Sequence, residues 1–218
     1  MNNELTVETL FPTCLSYINK PEYVNLAREV FNDYIKQSHT QSEINPLYPV
    51  VMTQNMINDE RIKDLADYIL NTAWNVLEFQ GYDMQWFFTQ FSELWGQEHR
   101  TGSGMDYHIH GLGSQISGFY FIEVPENSGK VIFYDPRPTK IYADLLQTDY
   151  SQSTYATNQM NYKPKIGDLY FHNSWLPHSL SKNGDVSPLK FLHFNITVVS
   201  KHLFDNQQAS QLKQPIVI

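Results

Sequence analysis

The chain is poor in cysteine, in basic clusters and in long apolar runs, and each shortage excludes something. Cys14 is the single cysteine among 218 residues, so no internal disulfide can form, and a reducing compartment suits it. No Lys/Arg cluster is longer than a pair and the formal net charge is −8, which argues against nucleic acid as a simple electrostatic partner. No apolar run approaches the roughly 18 residues that a membrane-spanning helix needs. The start, Met-Asn-Asn-Glu, lacks the basic-then-apolar order of a signal peptide. These shortages predict a soluble, cytoplasmic protein with no nucleic-acid or membrane partner. A homodimer stays open.

Aromatic residues are plentiful instead, at 14%, with 14 Tyr and 13 Phe, as suits half-buried pleated surfaces. The length fits a single domain over 1–218, divided into a helical flank (about 1–82), a β core (about 83–200) and a short C-terminal tail. Leu26, Ala27, Val30, Phe31, Tyr34 and Ile35 recur at helical spacing over 21–37, behind Pro21 in a first turn. A stronger apolar stripe from Ile62 to Leu77 predicts a helix over about 58–79, ended by Gly81. Beyond residue 84 the pattern shortens to strands: Gln85–Trp95, Ser117–Val124, Lys130–Tyr134 as its hairpin partner, Asp168–His172 and Leu189–Val199. Residues 139–163 read as a long polar loop and a candidate lid. Helices followed by strands point to a β-sandwich or barrel with a helical buttress.

Three histidines carry the chemistry. His108 and His110 stand two apart in Asp106-Tyr-His-Ile-His110, so on a strand they share a face. His178 closes Asn173-Ser-Trp-Leu-Pro-His178 some seventy residues later. Imidazole is the commonest ligand of transition metals, and a pair plus one distant partner can hold one ion on a β scaffold. A lone histidine is more often a hydrogen-bonded core or surface group, and His39, His99, His172 and His202 are read that way.

The order of motifs around these residues is distinctive. His-x-His is followed by Ser117-Gly-Phe-Tyr-Phe, Phe133-Tyr-Asp-Pro-Arg137, Ile166-Gly-Asp-Leu-Tyr-Phe171, Trp175-Leu-Pro-His178 and Phe194-Asn-Ile-Thr197. From about Trp95 to Thr197 this resembles a family of 2-oxoglutarate- and Fe(II)-dependent oxygenases found mostly in marine bacteria and their phages. The resemblance implies a double-stranded β-helix, a jelly-roll or cupin-like barrel, with Fe(II), 2-oxoglutarate and O₂ as reactants. It implies oxidative decarboxylation to succinate and CO₂, coupled to hydroxylation of an unidentified small-molecule or peptidyl substrate. Carried over by motif, the catalytic and metal residues are His108, His110 and His178.

Two departures leave alternatives open. The second residue of the pair is usually a carboxylate in the superfamily, and Asp106 lies close enough to compete with His110. The superfamily also places a basic residue, most often Arg, ten to fifteen positions after the distal histidine to anchor the far carboxylate of 2-oxoglutarate. Here only Lys190 qualifies, and strand parity puts it on the face opposite His193 and Asn195. Arg137 is the alternative anchor, with a salt bridge to Asp135 as its structural role. Tyr120 is a candidate hydrogen-bond donor to the co-substrate, with core packing as its structural role. Two other functions remain: a three-histidine cupin-type metal enzyme that does not use 2-oxoglutarate, and a non-catalytic binding module.

Overall fold

The computed structural model describes residues 5–38, 44–111, 113–143 and 145–202. Among the described residues, ten strands, β1 to β10, form two sheets. The larger contains β1 (Leu15–Asn19), β8 (Asp168–Asn173), β5 (Ser114–Glu123), β10 (Leu189–Ser200), β3 (Phe87–His99) and β2 (Val50–Met52), in that order. The smaller contains β4 (Met105–His108), β9 (His178–Leu180), β6 (Val131–Tyr134) and β7 (Gln159–Tyr162). Helices α1 (Val24–Ser38) and α2 (Lys63–Phe79) cover the outer face of the larger sheet.

Alternation along the strands gives each face of the larger sheet its own core. Leu192, Phe194 and Ile196 of β10 join Tyr120 and Ile122 of β5 against Phe31, Leu65 and Ile69 of the helices. Leu189 and Phe191 point the other way, with Phe119 and Phe121, toward Val131, Phe133 and Leu180 of the smaller sheet. Two glycines permit close packing on the helix side. A Cβ on Gly96 would lie 2.4 Å from the Phe31 ring, and one on Gly118 would lie 2.3 Å from the Phe194 ring.

Both predicted helices are present, each entered through a short 3₁₀ turn, at Pro21–Tyr23 and at Glu60–Ile62. Asp59 caps the second entry by accepting from the Arg61 N–H at 3.0 Å. The strand order departs from expectation at one place: β6 is not the hairpin partner of β5. It pairs with β7 and β9 in the opposite sheet, while β5 lies between β8 and β10. After Glu123 the chain crosses between sheets. Sequence adjacency suggests a hairpin there, but closure of the barrel overrides it. The loop predicted over 139–163 contains β7 and a 3₁₀ turn at Lys140–Ala143. Its base is clipped by the Lys140 ammonium, which donates to the carbonyls of Ala156 (2.9 Å) and Thr157 (3.0 Å) and to the Asn158 side chain. The predicted tail from 203 onward and His39 lie outside the described residues.

Candidate metal centre

The smaller sheet sets the site. β4 and β9 are antiparallel with His108 directly opposite His178, which puts their rings 4.4 Å apart between centroids. His110 follows two residues beyond β4, and its backbone N–H donates to the Ser174 carbonyl at 2.8 Å. That bond ties the exit of β4 to the turn preceding β9. The turn is itself closed by the Leu176 N–H donating to the Asn173 carbonyl at 2.9 Å. A hydrogen-bonded chain running from the interior to the surface holds it further: the Ser174 and Ser117 hydroxyls lie 2.9 Å apart, Ser117 Oγ donates to Asn195 Oδ1 at 2.7 Å, and Asn195 Nδ2 donates to Oε2 of the exposed Glu93 at 2.8 Å.

One ring nitrogen each from His108, His110 and His178 lie within 4.8 Å of one another. The hydrogen bonds around them assign the tautomers. His108 Nδ1 lies 2.7 Å from the Asp106 carbonyl and His178 Nδ1 lies 2.9 Å from the Leu176 carbonyl. A carbonyl only accepts, so each Nδ1 carries the hydrogen and each Nε2 presents a bare lone pair. Both Nε2 atoms are buried without a partner. Unpaired buried acceptors are costly, and a cation between them would remove that cost.

Protonation does not compete at neutral pH. Burial, reinforced by the neighbouring His108, pushes His110 down to about 4. Burial also pushes His178 far below the usual imidazole range, helped by His172 and the two other triad rings. Neutral imidazole is the metal-binding form. The donor set and its geometry therefore fit a divalent transition metal such as iron. Asp106 is outside the set: it is exposed, and its contribution to the site is the main-chain carbonyl that orients His108.

Two further imidazoles adjoin the triad. His172 on β8 is fully buried, with its ring centroid 4.4 Å from that of His178. Its Nδ1 donates to the Asn173 carbonyl at 3.0 Å, and its Nε2 also lacks a partner. His193 on β10 places Nε2 3.3 Å from His110 Nε2. Sequence reasoning set His172 aside as an ordinary core histidine. The available signal was its parity: Leu169 and Phe171 face the helices, so Tyr170 and His172 face inward. His99 does match the core role. Its two ring nitrogens meet Ser103 Oγ at 2.8 Å and Gln97 Oε1 at 2.9 Å.

None of the three expected co-substrate residues reaches the triad. Lys190 faces the helices, 3.0 Å from Glu123 and 3.7 Å from Glu98, above the Phe31 ring. Tyr120 is in the helix-side core and donates to the Lys20 carbonyl at 2.6 Å. Arg137 is more than half exposed and folds back on Asp135, with Nε and Nη2 contacts of 2.9 and 2.7 Å. It lines a mouth cleft of about 910 Å³, whose walls include Leu10, Phe11, Tyr155 and Leu176. The residues present thus fit iron, while Lys190 and Arg137, the two cations expected to anchor the far carboxylate of 2-oxoglutarate, are engaged elsewhere.

Residues 93–189 match the family described as "Putative 2OG-Fe(II) oxygenase", and that span contains the whole triad. The match spans less than half of the chain and is a likeness to the 2-oxoglutarate/Fe(II) oxygenases. Solved structures share its double-stranded β-helix at low identity. The alpha-ketoglutarate-dependent epimerase SnoN from nogalamycin biosynthesis is 10% identical with a TM-score of 0.61, over 86% of this chain and 79% of its own. A Pseudomonas putida prolyl-4-hydroxylase is 13% identical with a TM-score of 0.54, over 85% and 93%. A viral collagen prolyl hydroxylase from Paramecium Bursaria Chlorella virus-1 is 13% identical with a TM-score of 0.54, over 84% and 94%. No curated protein matches the sequence. Among the described residues, no helix is long and apolar enough to cross a membrane.

Proposed function

We propose that the protein is a non-haem Fe(II) oxygenase that hydroxylates a small-molecule or peptidyl substrate, with His108, His110 and His178 as the metal ligands. The observation that carries this reading is the pair of bare, buried Nε2 atoms on His108 and His178, converging with His110. When bound, the metal supplies the activation of O₂ that this class couples to oxidative decarboxylation of a 2-oxo acid.

The chain's own residues hold and shield that centre. The Asp106 and Leu176 carbonyls fix the two ligand tautomers. Phe119 and Phe133 pack against His178 and His172 and keep bulk water from that side. The mouth cleft is the proposed substrate entrance, because Leu176 and Phe133 on its wall both contact His178. Cytoplasmic residence belongs to the same proposal and rests on the lone cysteine.

The test is reconstitution of the full chain with Fe(II) under anaerobic conditions, followed by O₂ and a saturating 2-oxo acid, 2-oxoglutarate included. O₂ uptake and CO₂ release that disappear in His178→Ala are expected. A metal-loaded chain that consumes no O₂ with any 2-oxo acid would sink the reading.

A further inference from the structure

We propose that His193 is a positioning residue for the metal centre: it accepts a hydrogen bond from His110 Nε2, so that His110 ligates through Nδ1 while His108 and His178 ligate through Nε2. The inference rests on the proposed function, since it takes the three histidines as the ligands.

A ligating imidazole gives one nitrogen to the metal and keeps its hydrogen on the other, where a protein acceptor usually holds it. His108 and His178 follow that division, each with Nδ1 bonded to a main-chain carbonyl and Nε2 bare. In His110 the division is reversed. Its Nε2 lies 3.3 Å from His193 Nε2, and its Nδ1 has no hydrogen-bond partner among the described residues. Two imidazole nitrogens joined in this way share one hydrogen, so one donates and the other accepts. Were His193 the donor, it would engage the Nε2 lone pair of His110 and leave the His110 hydrogen on Nδ1, with no nitrogen for a metal. Donation by His110 instead leaves Nδ1 bare. Only that arrangement lets His110 ligate and keep the bond.

The fold fixes His193 for this role. It is fully buried on β10, opposite Trp95 of β3 on one side and Phe119 of β5 on the other. The Trp95 ring lies 4.4 Å from its ring, and Phe119 meets it edge-on at 5.2 Å. Close packing of this kind leaves the imidazole little room to turn. His193 Nδ1 is buried without a partner, so no contact on its far side dictates the tautomer. A metal on His110 therefore selects the arrangement, and His193 in return holds the His110 ring plane and raises its basicity.

The experiment uses the full chain, isotope-labelled at nitrogen and loaded with Zn(II), a diamagnetic probe of the same donors. Long-range proton–nitrogen correlation NMR distinguishes the two tautomers of each ring and marks the nitrogen bound to metal. The expected pattern is His110 bound through Nδ1 with its hydrogen on Nε2, and the reverse for His108 and His178. Binding of His110 through Nε2, with the other two also bound, overturns this inference and leaves the proposed function standing. A chain that takes up no Zn(II), or takes it up without all three histidines, overturns the proposed ligand set, and this inference falls with it. Two variants supply the second reading. His193→Leu removes the acceptor and should lower Zn(II) affinity by about 10–100-fold. His193→Gln, whose Oε1 replaces Nε2 as acceptor, should lie closer to the wild type and keep the His110 hydrogen on Nε2. Unchanged affinity in His193→Leu, or an equal loss in both variants, overturns the inference. The wild-type tautomers decide alone if neither variant folds.

Discussion

The two faces of the larger sheet are built from the same strands but do opposite things. On the outer face, Leu192, Phe194 and Ile196 meet two amphipathic helices, and the ion pairs of Lys190 sit at its margin. On the inner face, alternate residues of the same strands present His172, His193 and a set of phenyl rings to the triad. Side-chain alternation lets one strand serve stability outward and chemistry inward. Damage to one face should therefore leave the property of the other intact, and each prediction below tests that separation.

The largest effect is expected from His178→Ala. It removes one of three ligands, so metal affinity should fall well beyond the roughly 10–100-fold that loss of an outer-shell partner costs. Equilibrium dialysis with Co(II) measures it. Unchanged metal stoichiometry would remove His178 from the centre. Helical content by circular dichroism should stay at the wild-type level, because the helices pack on the other face.

Phe31→Ala is the outward counterpart. The ring is fully buried, fills the space left by Gly96 and lies beneath the Lys190 ammonium. Its loss should cost about 3–5 kcal/mol in urea unfolding, with Co(II) affinity per folded molecule unchanged. A large loss of metal affinity in the folded fraction would show that the two faces are coupled.

How much of this was legible follows the same division. The outer face could be read directly, since apolar residues at helical spacing predicted α1 and α2, and parity put Lys190 on the face opposite His193 and Asn195. The short edge strands β1, β2 and β7 were missed, because three to five residues with mixed burial carry little periodic signal. On the inner face, His-x-His stood out because two like ligands share a strand face. His172 did not, since a single buried histidine looks the same whether both its nitrogens are bonded, like those of His99, or one is left bare. That distinction lies in partners across the sheet, which no local pattern encodes.

Acid should destabilise the metal-free protein through the inner face. Burial pushes His99 down to about 4 and His172 to about 3, from an unfolded value of 6.5. Below that unfolded value the unfolded chain binds more protons, so stability is full above it and declines as pH falls toward the folded values. Each of these two groups should cost about 2 kcal/mol at about pH 5. Thermal unfolding without metal should show a falling midpoint from neutral pH to about pH 5, and bound metal should deepen the pH dependence, since protons must displace it. A flat profile in the metal-free chain would mean that these rings are not held neutral.

The smallest effect is expected from Lys190→Met, and it bears most directly on the two faces. Glu98 and Glu123 keep other partners in the variant, Arg100 at 2.9 Å and Arg28 at 3.5 Å. The methionine would retain apolar contact with the Phe31 ring. Loss of the ammonium should therefore cost only about 1 kcal/mol in urea unfolding. Co(II) affinity and 2-oxoglutarate affinity of the Co(II)-loaded chain should match the wild type, because the Lys190 charge is separated from the triad by the sheet itself. A drop of more than about tenfold in 2-oxoglutarate affinity would mean that Lys190 reaches through to the metal centre. In that case β10 would serve the co-substrate from its outer face, and the division of labour between the faces would fail at the residue where the chemistry most needs a charge.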